Sequence, residues 1–346
     1  MSDDAPNGFE IGRLMMSMWV PQALHAAAEL GVADALADMA LDAGALAARL
    51  GTHGEATQRL LEALCVLNVV TRGDQGYALT PLGQFLRSDV EGSRRAWSRL
   101  MGGADVWRAW GRLIECVRTG EAAYAVGENR RTETETFDAL FADPTAAGVF
   151  HRAMADGTRG QAAGIIDALE LPEGASLVDV GGGFGALLCA ALERDERARG
   201  AVFDLGHAKP GAEQLFEARG VRERASFVEG NLFEQAPPRA DWLLLKSVIH
   251  DWSDERSRVI LENCRRAIAG AGRLAVIEPF AVPAGTPMPP GFAWVMAFSD
   301  LNMLVNTGGK ERSREEFTQL VESAGLSVER TLSCGGFYSA LICRAA

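Results

Sequence analysis

The sequence predicts an α/β fold: a doubly wound, mostly parallel sheet whose last strand runs antiparallel, preceded by an all-helical domain with a winged-helix outline. Three observations carry this. Apolar strands alternate with amphipathic helices over residues 177–180, 201–205, 226–229, 242–248 and 273–278, and that alternation requires a parallel sheet with helices on both faces. Two further strands, around 327–332 and 337–343, flank Gly335-Gly336 and read as an antiparallel hairpin that closes the sheet. Ahead of them, helical spacing dominates up to residue 171, interrupted by one pair of short strands around residues 73–76. The expected segments are a winged-helix domain over 1–95, a helical linker and active-site cover over 96–171, and an α/β domain over 172–346.

Taken in order, residues 11–40 place Leu14, Met15, Met18, Leu24 and Ala28 on one side of a helix with a break at Gly31. The methionines suit an adaptable packing face, in a core or between subunits. A short helix over 43–50, a turn at Gly51 and a longer helix over 55–67 precede the two short strands. Helix-turn-helix units with a hairpin wing often read operators, so DNA binding has to be weighed. Between Ala33 and Leu86, however, Arg49, Arg59 and Arg72 face six acids, and the helix that would read DNA carries Leu60, Leu61, Leu64, Val66 and Leu67. Such a helix packs against protein. Residues 90–171 read as helical throughout, with Asp143-Pro144 starting a further helix.

The 346 residues are 48% apolar and carry a net charge of −12, the lysines being Lys209, Lys246 and Lys310. An acidic surface repels phosphate backbones and anionic membranes, so neither nucleic acid nor membrane is expected as a partner. Cys65, Cys116, Cys189, Cys264, Cys334 and Cys343 are scattered without a C-x-x-C pair, which suggests neither zinc nor a disulfide framework. No metal site is expected. The first seven residues are acidic with no apolar signal core, and a cytoplasmic location is the expectation.

The stretch Leu177 to Leu188, LVDVGGGFGALL, runs from a strand through glycines into a helix and reads as a nucleotide cradle. Gly181, Gly183 and Ala186 also satisfy the dinucleotide pattern G-x-G-x-x-G/A, so the loop alone leaves two readings level. Asp179 lies two residues before the first glycine, and Asp204, after the next strand, is placed to accept ribose hydroxyls in either reading. The choice rests on Trp242 to Glu255, WLLLKSVIHDWSDE. It is read as a buried strand ending over 246–249, with His250 and Asp251 at its carboxyl end and Ser253 capping the next helix. Ligands of open α/β sheets bind at carboxyl strand ends, which puts His250 beside the cofactor's reactive end.

Together, LVDVGGGFG, VFDL, KSVIHDWSDE, VIEPF and GGKERSREEF, in that order, resemble the O-methyltransferases that act on plant phenolics and on bacterial polyketide and phenazine-type metabolites. The resemblance covers the whole chain and implies a class I methyltransferase sheet, S-adenosylmethionine as cofactor, an aromatic small-molecule substrate and homodimerisation through the N-terminal domain. It carries the catalytic histidine to His250 and the carboxylates that hold its imidazole to Glu278 and Glu311. The implied cofactor set is Asp179, Gly181, Gly183, Asp204, Asn231, Leu232 and Lys246, and the implied substrate set is Met154, Asp251, Trp294, Phe298, Met303 and Asn306. Asn231 stands where the family usually has an aspartate near the adenine, and Gly206 follows Asp204-Leu205 where the family has proline.

The expected reaction is methyl transfer to a phenolic hydroxyl. A phenol of pKa about 10 is mostly protonated at neutral pH, and an imidazole steadied by a carboxylate can take its proton. Transfer to carbon or nitrogen, a non-methylating relative that hydroxylates or decarboxylates, and a winged-helix regulator that senses a ligand are the alternatives.

Overall fold

The computed structural model describes residues 8–127, 130–282, 285–288 and 291–346. The acidic stretch before residue 8, where no signal core is expected, lies outside the described residues. The chain divides into two compact units, Met1–Trp107 and Arg108–Ala346.

The first unit contains α1 (Gly8–Met16), α2 (Trp19–Leu30), α3 (Val32–Ala35), α4 (Ala43–Leu50), α5 (Gly54–Val66), β1 (Val70–Gly73), β2 (Gly76–Leu79) and α6 (Arg95–Met101). Gly31 ends α2 in the left-handed conformation as expected, while the further break around Ser17-Met18 coincides with Pro21 in the first turn of α2, which has no N–H to bond back to Ser17. Asp42 caps α4 by accepting from Ala45 N–H at 2.8 Å. Leu46, Leu61, Leu64, Val70 and Tyr77 form the core of the unit, each side chain contributing about 1.5–3 kcal/mol through burial. The wing is the antiparallel pair β1–β2, with Gly73 opposite Gly76. Glu62 on α5 ties it down, accepting from the Tyr77 hydroxyl at 2.6 Å and from Arg72 at 3.0 Å. The expected apolar helix face divides: Ala28 is buried, whereas Leu14, Met15 and Met18 stand exposed, Met15 at 70%.

The second unit begins within α7 (Ala104–Trp110) and continues through α8 (Leu113–Thr119), α9 (Glu133–Ala142) and α10 (Pro144–Leu169). The expectation of helix throughout 90–171 therefore fails over residues 120–127 and 130–132. Gly120, at φ 75°, ends α8 in the left-handed conformation, and Thr132 opens α9 with a capping box to Glu135. Asp143 caps α10, its carboxylate accepting from Thr145 N–H at 2.8 Å, with Pro144 in the first turn, where no intrahelical donor is needed.

Then come β3 (Ser176–Val180), α11 (Ala186–Arg194), β4 (Arg199–Asp204), α12 (Lys209–Ala218), β5 (Ala225–Glu229), β6 (Ala240–Lys246), α13 (Asp254–Ala267), β7 (Ile268–Pro279), α14 (Phe292–Asn306), α15 (Arg314–Ser323), β8 (Leu326–Ser333) and β9 (Tyr338–Ala345). The sheet order is β5-β4-β3-β6-β7-β9-β8, parallel up to β7 and antiparallel at β9 and β8. This is the class I methyltransferase sheet. Period-two alternation sends Leu177, Trp242 and Leu244 into a core shared with α10, α11 and α12, and Val178, Leu243 and Leu245 into a second core under α13 and α15. Among the described residues no helix is long and apolar enough to cross a membrane.

Candidate active site

Strand register assembles the site. Val180 pairs with Phe203 on one side and Leu245 on the other, and Lys246 pairs with Ile277. Asp204, Gly181, Lys246 and Glu278 therefore come abreast along the carboxyl edge of four neighbouring strands, the edge where open α/β sheets take ligands.

The glycine loop makes one half of that edge. Gly181, Gly183 and Gly185 all have positive φ, at 68°, 57° and 78°. At Gly185 a Cβ would lie 2.7 Å from Val202 and 2.8 Å from Phe216, so both the backbone and the packing require glycine. Asp204 steadies the loop: its carboxylate accepts from Gly183 N–H and Leu205 N–H, each at 2.7 Å. Burial pushes its pKa up to about 6 against those two bonds. Asp179 lies buried beneath the loop and accepts from Leu188 N–H at 3.2 Å, with its pKa pushed up by burial to about 7. It is placed to organise the start of α11. The open, side-chain-free loop beside a ribose-height carboxylate fits the nucleoside and methionyl parts of S-adenosylmethionine.

The other half is built around His250. β6 ends at Lys246, two residues short of the expected 242–248, because Ser247 turns the chain with φ 51° and a 3₁₀ turn, Ile249–Asp251, follows. A non-glycine residue in the left-handed region is strained, and such strain gathers at functional sites. The turn is held from two directions. Glu278, fully buried at the end of β7, accepts from Val248 N–H at 3.0 Å and Ile249 N–H at 2.8 Å through Oε1. Arg312, 1% exposed, donates to Ile249 O at 3.0 Å, Trp252 O at 2.7 Å and Asp254 at 2.8 Å.

The imidazole is set by Glu311. His250 Nδ1 lies 3.1 Å from Glu311 Oε1 and 3.7 Å from Glu278 Oε2. Glu311 is itself fixed by the Ser299 hydroxyl at 2.6 Å and by its own N–H on Asp300 at 2.9 Å. Of the two carboxylates expected on the ring, Glu311 makes the hydrogen bond while Glu278 mainly holds the turn. His250 Nε2 has Asp251 Oδ1 at 3.9 Å, beyond hydrogen-bond reach, so it is free of a tight intramolecular acceptor there. Burial opposes a charge on the ring, yet Glu278, Asp251 and Glu311 outweigh it and raise the imidazole pKa to about 10. Burial pushes Glu278 up to about 7 and Asp251 to about 6, with His250 pulling both down.

The remaining expected residues are placed as follows. Lys246 Nζ donates to Ser247 Oγ and Tyr338 Oη, each at 3.0 Å, and Tyr338 carries a lowered pKa because the ammonium outweighs its burial. Leu232 points at Gly181, 3.5 Å from where a Cβ there would be, while Asn231 closes its own turn by accepting from Phe233 N–H and donating to Glu234. Met154 is half-buried on α10. On α14, Met303 is buried, Trp294 and Phe298 are exposed and stack at 4.8 Å, and Asn306 donates to Asn302, which in turn accepts from Trp110 at 3.1 Å.

Sequence reasoning missed Ser247, Ser299, Asp300, Arg312 and Tyr338. Arg312, inside the GKER motif, had a signal in its neighbour Glu311; the others become visible only when distant segments meet.

Residues 110–327 match the model of the O-methyltransferase domain, and residues 13–89 that of the O-methyltransferase dimerisation domain. A phenazine O-methyltransferase of Lysobacter antibioticus is 35% identical over 322 residues, covering 92% of this chain and 91% of that protein. The aclacinomycin 10-hydroxylase of Streptomyces purpurascens is 35% identical over 319 residues, 90% of this chain and 83% of that one. Among solved structures, an O-methyltransferase of neocarzinostatin biosynthesis in complex with S-adenosylmethionine and 2-hydroxy-5-methyl naphthoic acid superposes with a TM-score of 0.75 at 32% identity, over 94% of this chain and 96% of that one. The whole-chain resemblance read from five motifs thus holds, and the chain belongs to the O-methyltransferase family as an S-adenosylmethionine-dependent enzyme.

Proposed function

We propose that this enzyme methylates a phenolic hydroxyl of an aromatic small molecule in secondary-metabolite biosynthesis, with His250 taking the phenolic proton. The observation that carries the reading is the asymmetry of the His250 ring: Nδ1 is anchored on Glu311, and Nε2 makes no hydrogen bond among the described residues, with the Asp251 carboxylate at 3.9 Å. A fixed Nδ1–H leaves the Nε2 lone pair to accept a proton, and Glu311 stabilises the imidazolium that results. When bound, S-adenosylmethionine supplies an electrophilic methyl group, so that the oxygen–carbon bond forms as the carbon–sulfur bond breaks and the electron pair leaves on sulfur. The chain's part is to hold acceptor and cofactor in line and to carry the proton until it returns to water.

Glu278, Asp251 and Glu311 raise the basicity of the His250 ring above its ordinary value, which favours it as the resting place of the phenolic proton. Neutral phenol meeting neutral imidazole, and phenolate meeting imidazolium, are the same charge state and give the same pH dependence.

Gly181, Gly183, Asp204 and Leu232 form the proposed cofactor wall, with Asp204 on the ribose. Met154, Trp294, Phe298 and Met303 are the proposed apolar wall for the aromatic ring. The exposed Leu14, Met15 and Met18 within the dimerisation-domain match support a homodimer. The test is a panel of hydroxylated arenes with methyl-labelled S-adenosylmethionine, the products resolved by mass spectrometry and NMR. Label on a phenolic oxygen supports the reading; label only on carbon or nitrogen, or an oxygenated product without label, overturns it.

A further inference from the structure

Two histidines outside the His250 cluster meet over the glycine loop. His151, on α10 and 5% exposed, places Nε2 2.8 Å from Nδ1 of His207, which lies in the 3₁₀ turn Gly206–Ala208 directly after Asp204 and Leu205. Phe141 of α9 stacks flat on His207, ring centroids 3.8 Å apart at 18°, and Phe184 of the glycine loop lies 5.2 Å from the His151 ring. The other nitrogen of His151, Nδ1, is 3.3 Å from where a Cβ on Gly183 would stand. The other nitrogen of His207, Nε2, is buried and has no hydrogen-bond partner among the described residues. A buried imidazole nitrogen left unpaired is costly.

We propose that His151 and His207 form an imidazole clasp that fastens α10 and Phe141 over Gly183 and Asp204, and that this clasp sets how tightly the cofactor is held. The hydrogen bond is a bridge between elements the sheet does not join: α10 precedes β3, and the 206–208 turn follows β4. Beside the bridge, the glycine loop and the end of β4 are joined separately by the Gly183 N–H on the Asp204 carboxylate at 2.7 Å. Opening the clasp would therefore loosen the outer side of the cleft while leaving its floor in place.

The bridge needs at least one neutral ring to offer a lone pair to the N–H of the other, and is lost only when both rings are charged. Burial provides this, pushing His151 down to about 4 with His207 adding to the effect, and lowering His207 against the opposing pull of Glu229. The charged groups around the pair are Asp204, committed to two backbone N–H groups, Glu229, which approaches Gly206, and Arg152, 5.6 Å over the Phe184 ring. None is placed to substitute for the imidazole bridge.

Both histidines are positioning residues, and the inference rests on the assignment of Gly183 and Asp204 to the cofactor. The experiment is calorimetric titration of S-adenosylhomocysteine into the wild type, His151→Phe, His207→Ala, His207→Asn and, as a control, Asp204→Asn, with KM for the phenolic acceptor measured alongside. The clasp predicts that His151→Phe and His207→Ala raise Kd about tenfold, equivalent to about 1.4 kcal/mol, without moving the acceptor KM. His207→Asn keeps a donor and an acceptor near the Nδ1 position and recovers binding to within about threefold of wild type. If His151→Phe fails to fold, His207→Ala, at a half-buried turn, decides the matter. Loss of binding in Asp204→Asn with both histidine variants within twofold of wild type overturns the clasp alone. Unchanged binding in all variants, Asp204→Asn included, overturns the cofactor assignment beneath it as well.

Discussion

Replacing Glu311 with glutamine removes one charge from the His250 cluster while keeping its shape. The Glu311 side chain is fully buried, its Oε1 lies 3.1 Å from His250 Nδ1, and the same oxygen accepts from Ser299 at 2.6 Å. A glutamine Oε1 can accept both bonds, so the fold is expected to survive. A hydrogen bond to a charged partner contributes about 1.5–3 kcal/mol and a neutral one about 0.5–1.5 kcal/mol, a difference of about 1–1.5 kcal/mol. At 1.36 kcal/mol per pKa unit, this lowers the imidazole pKa by about one unit from its value of about 10. With five histidines in the chain, selective ¹³C labelling gives a spectrum in which His250 is assigned by its loss in His250→Ala. Titrating the S-adenosylhomocysteine complex by NMR then reads the shift directly. Movement of less than about 0.3 unit, or upward, would refute the claim that the Glu311 charge adds to the ring's basicity.

Three further outcomes follow from the same geometry. Arg312→Met removes a buried cation that holds the carbonyls of Ile249 and Trp252, leaving those acceptors unpaired; a loss of about 3–5 kcal/mol is expected, read by denaturant unfolding, with its exposed contact to Asp254 adding little. Gly185→Ala combines a left-handed backbone with contacts of 2.7 and 2.8 Å, and a loss of about 2–5 kcal/mol should appear as a markedly lower Tm. Asp204→Asn should weaken S-adenosylhomocysteine binding by about 10- to 100-fold through the loss of charged acceptors for the ribose, a change that calorimetry measures.

The fold was legible because its signals are local. The strands from 177 to 278 are apolar on both faces, as a sheet between two helix layers demands, and Asp143-Pro144 and Ser313 to Glu316 announce helix starts by capping chemistry. The break that begins at Gly120 was hidden, since this left-handed glycine looks like any other in a helical stretch. The expected strand, 242–248, runs two residues past the observed end at Lys246 for a related reason: apolar Val248 and Ile249 continue the pattern, while the turn is imposed by Glu278 and Arg312, distant in sequence. At the site, His250, Glu278 and Glu311 were readable through motifs. Their division of labour was not, because it depends on which carboxylate oxygen the packing aims at the ring. Arg312, in the same motif as Glu311, is buried, and Gly309, three residues before it, admits the His250 carbonyl so closely that a Cβ would stand 2.0 Å from that oxygen.

The most direct test of His250 as the proton acceptor is single-turnover methyl transfer to a phenolic acceptor by His250→Ala, at saturating S-adenosylmethionine and with cofactor affinity checked by calorimetry. The account predicts a rate about 10²- to 10⁴-fold below wild type with unchanged cofactor binding. A rate within a few-fold of wild type would contradict it and leave alignment of oxygen, methyl and sulfur as the whole of the catalysis.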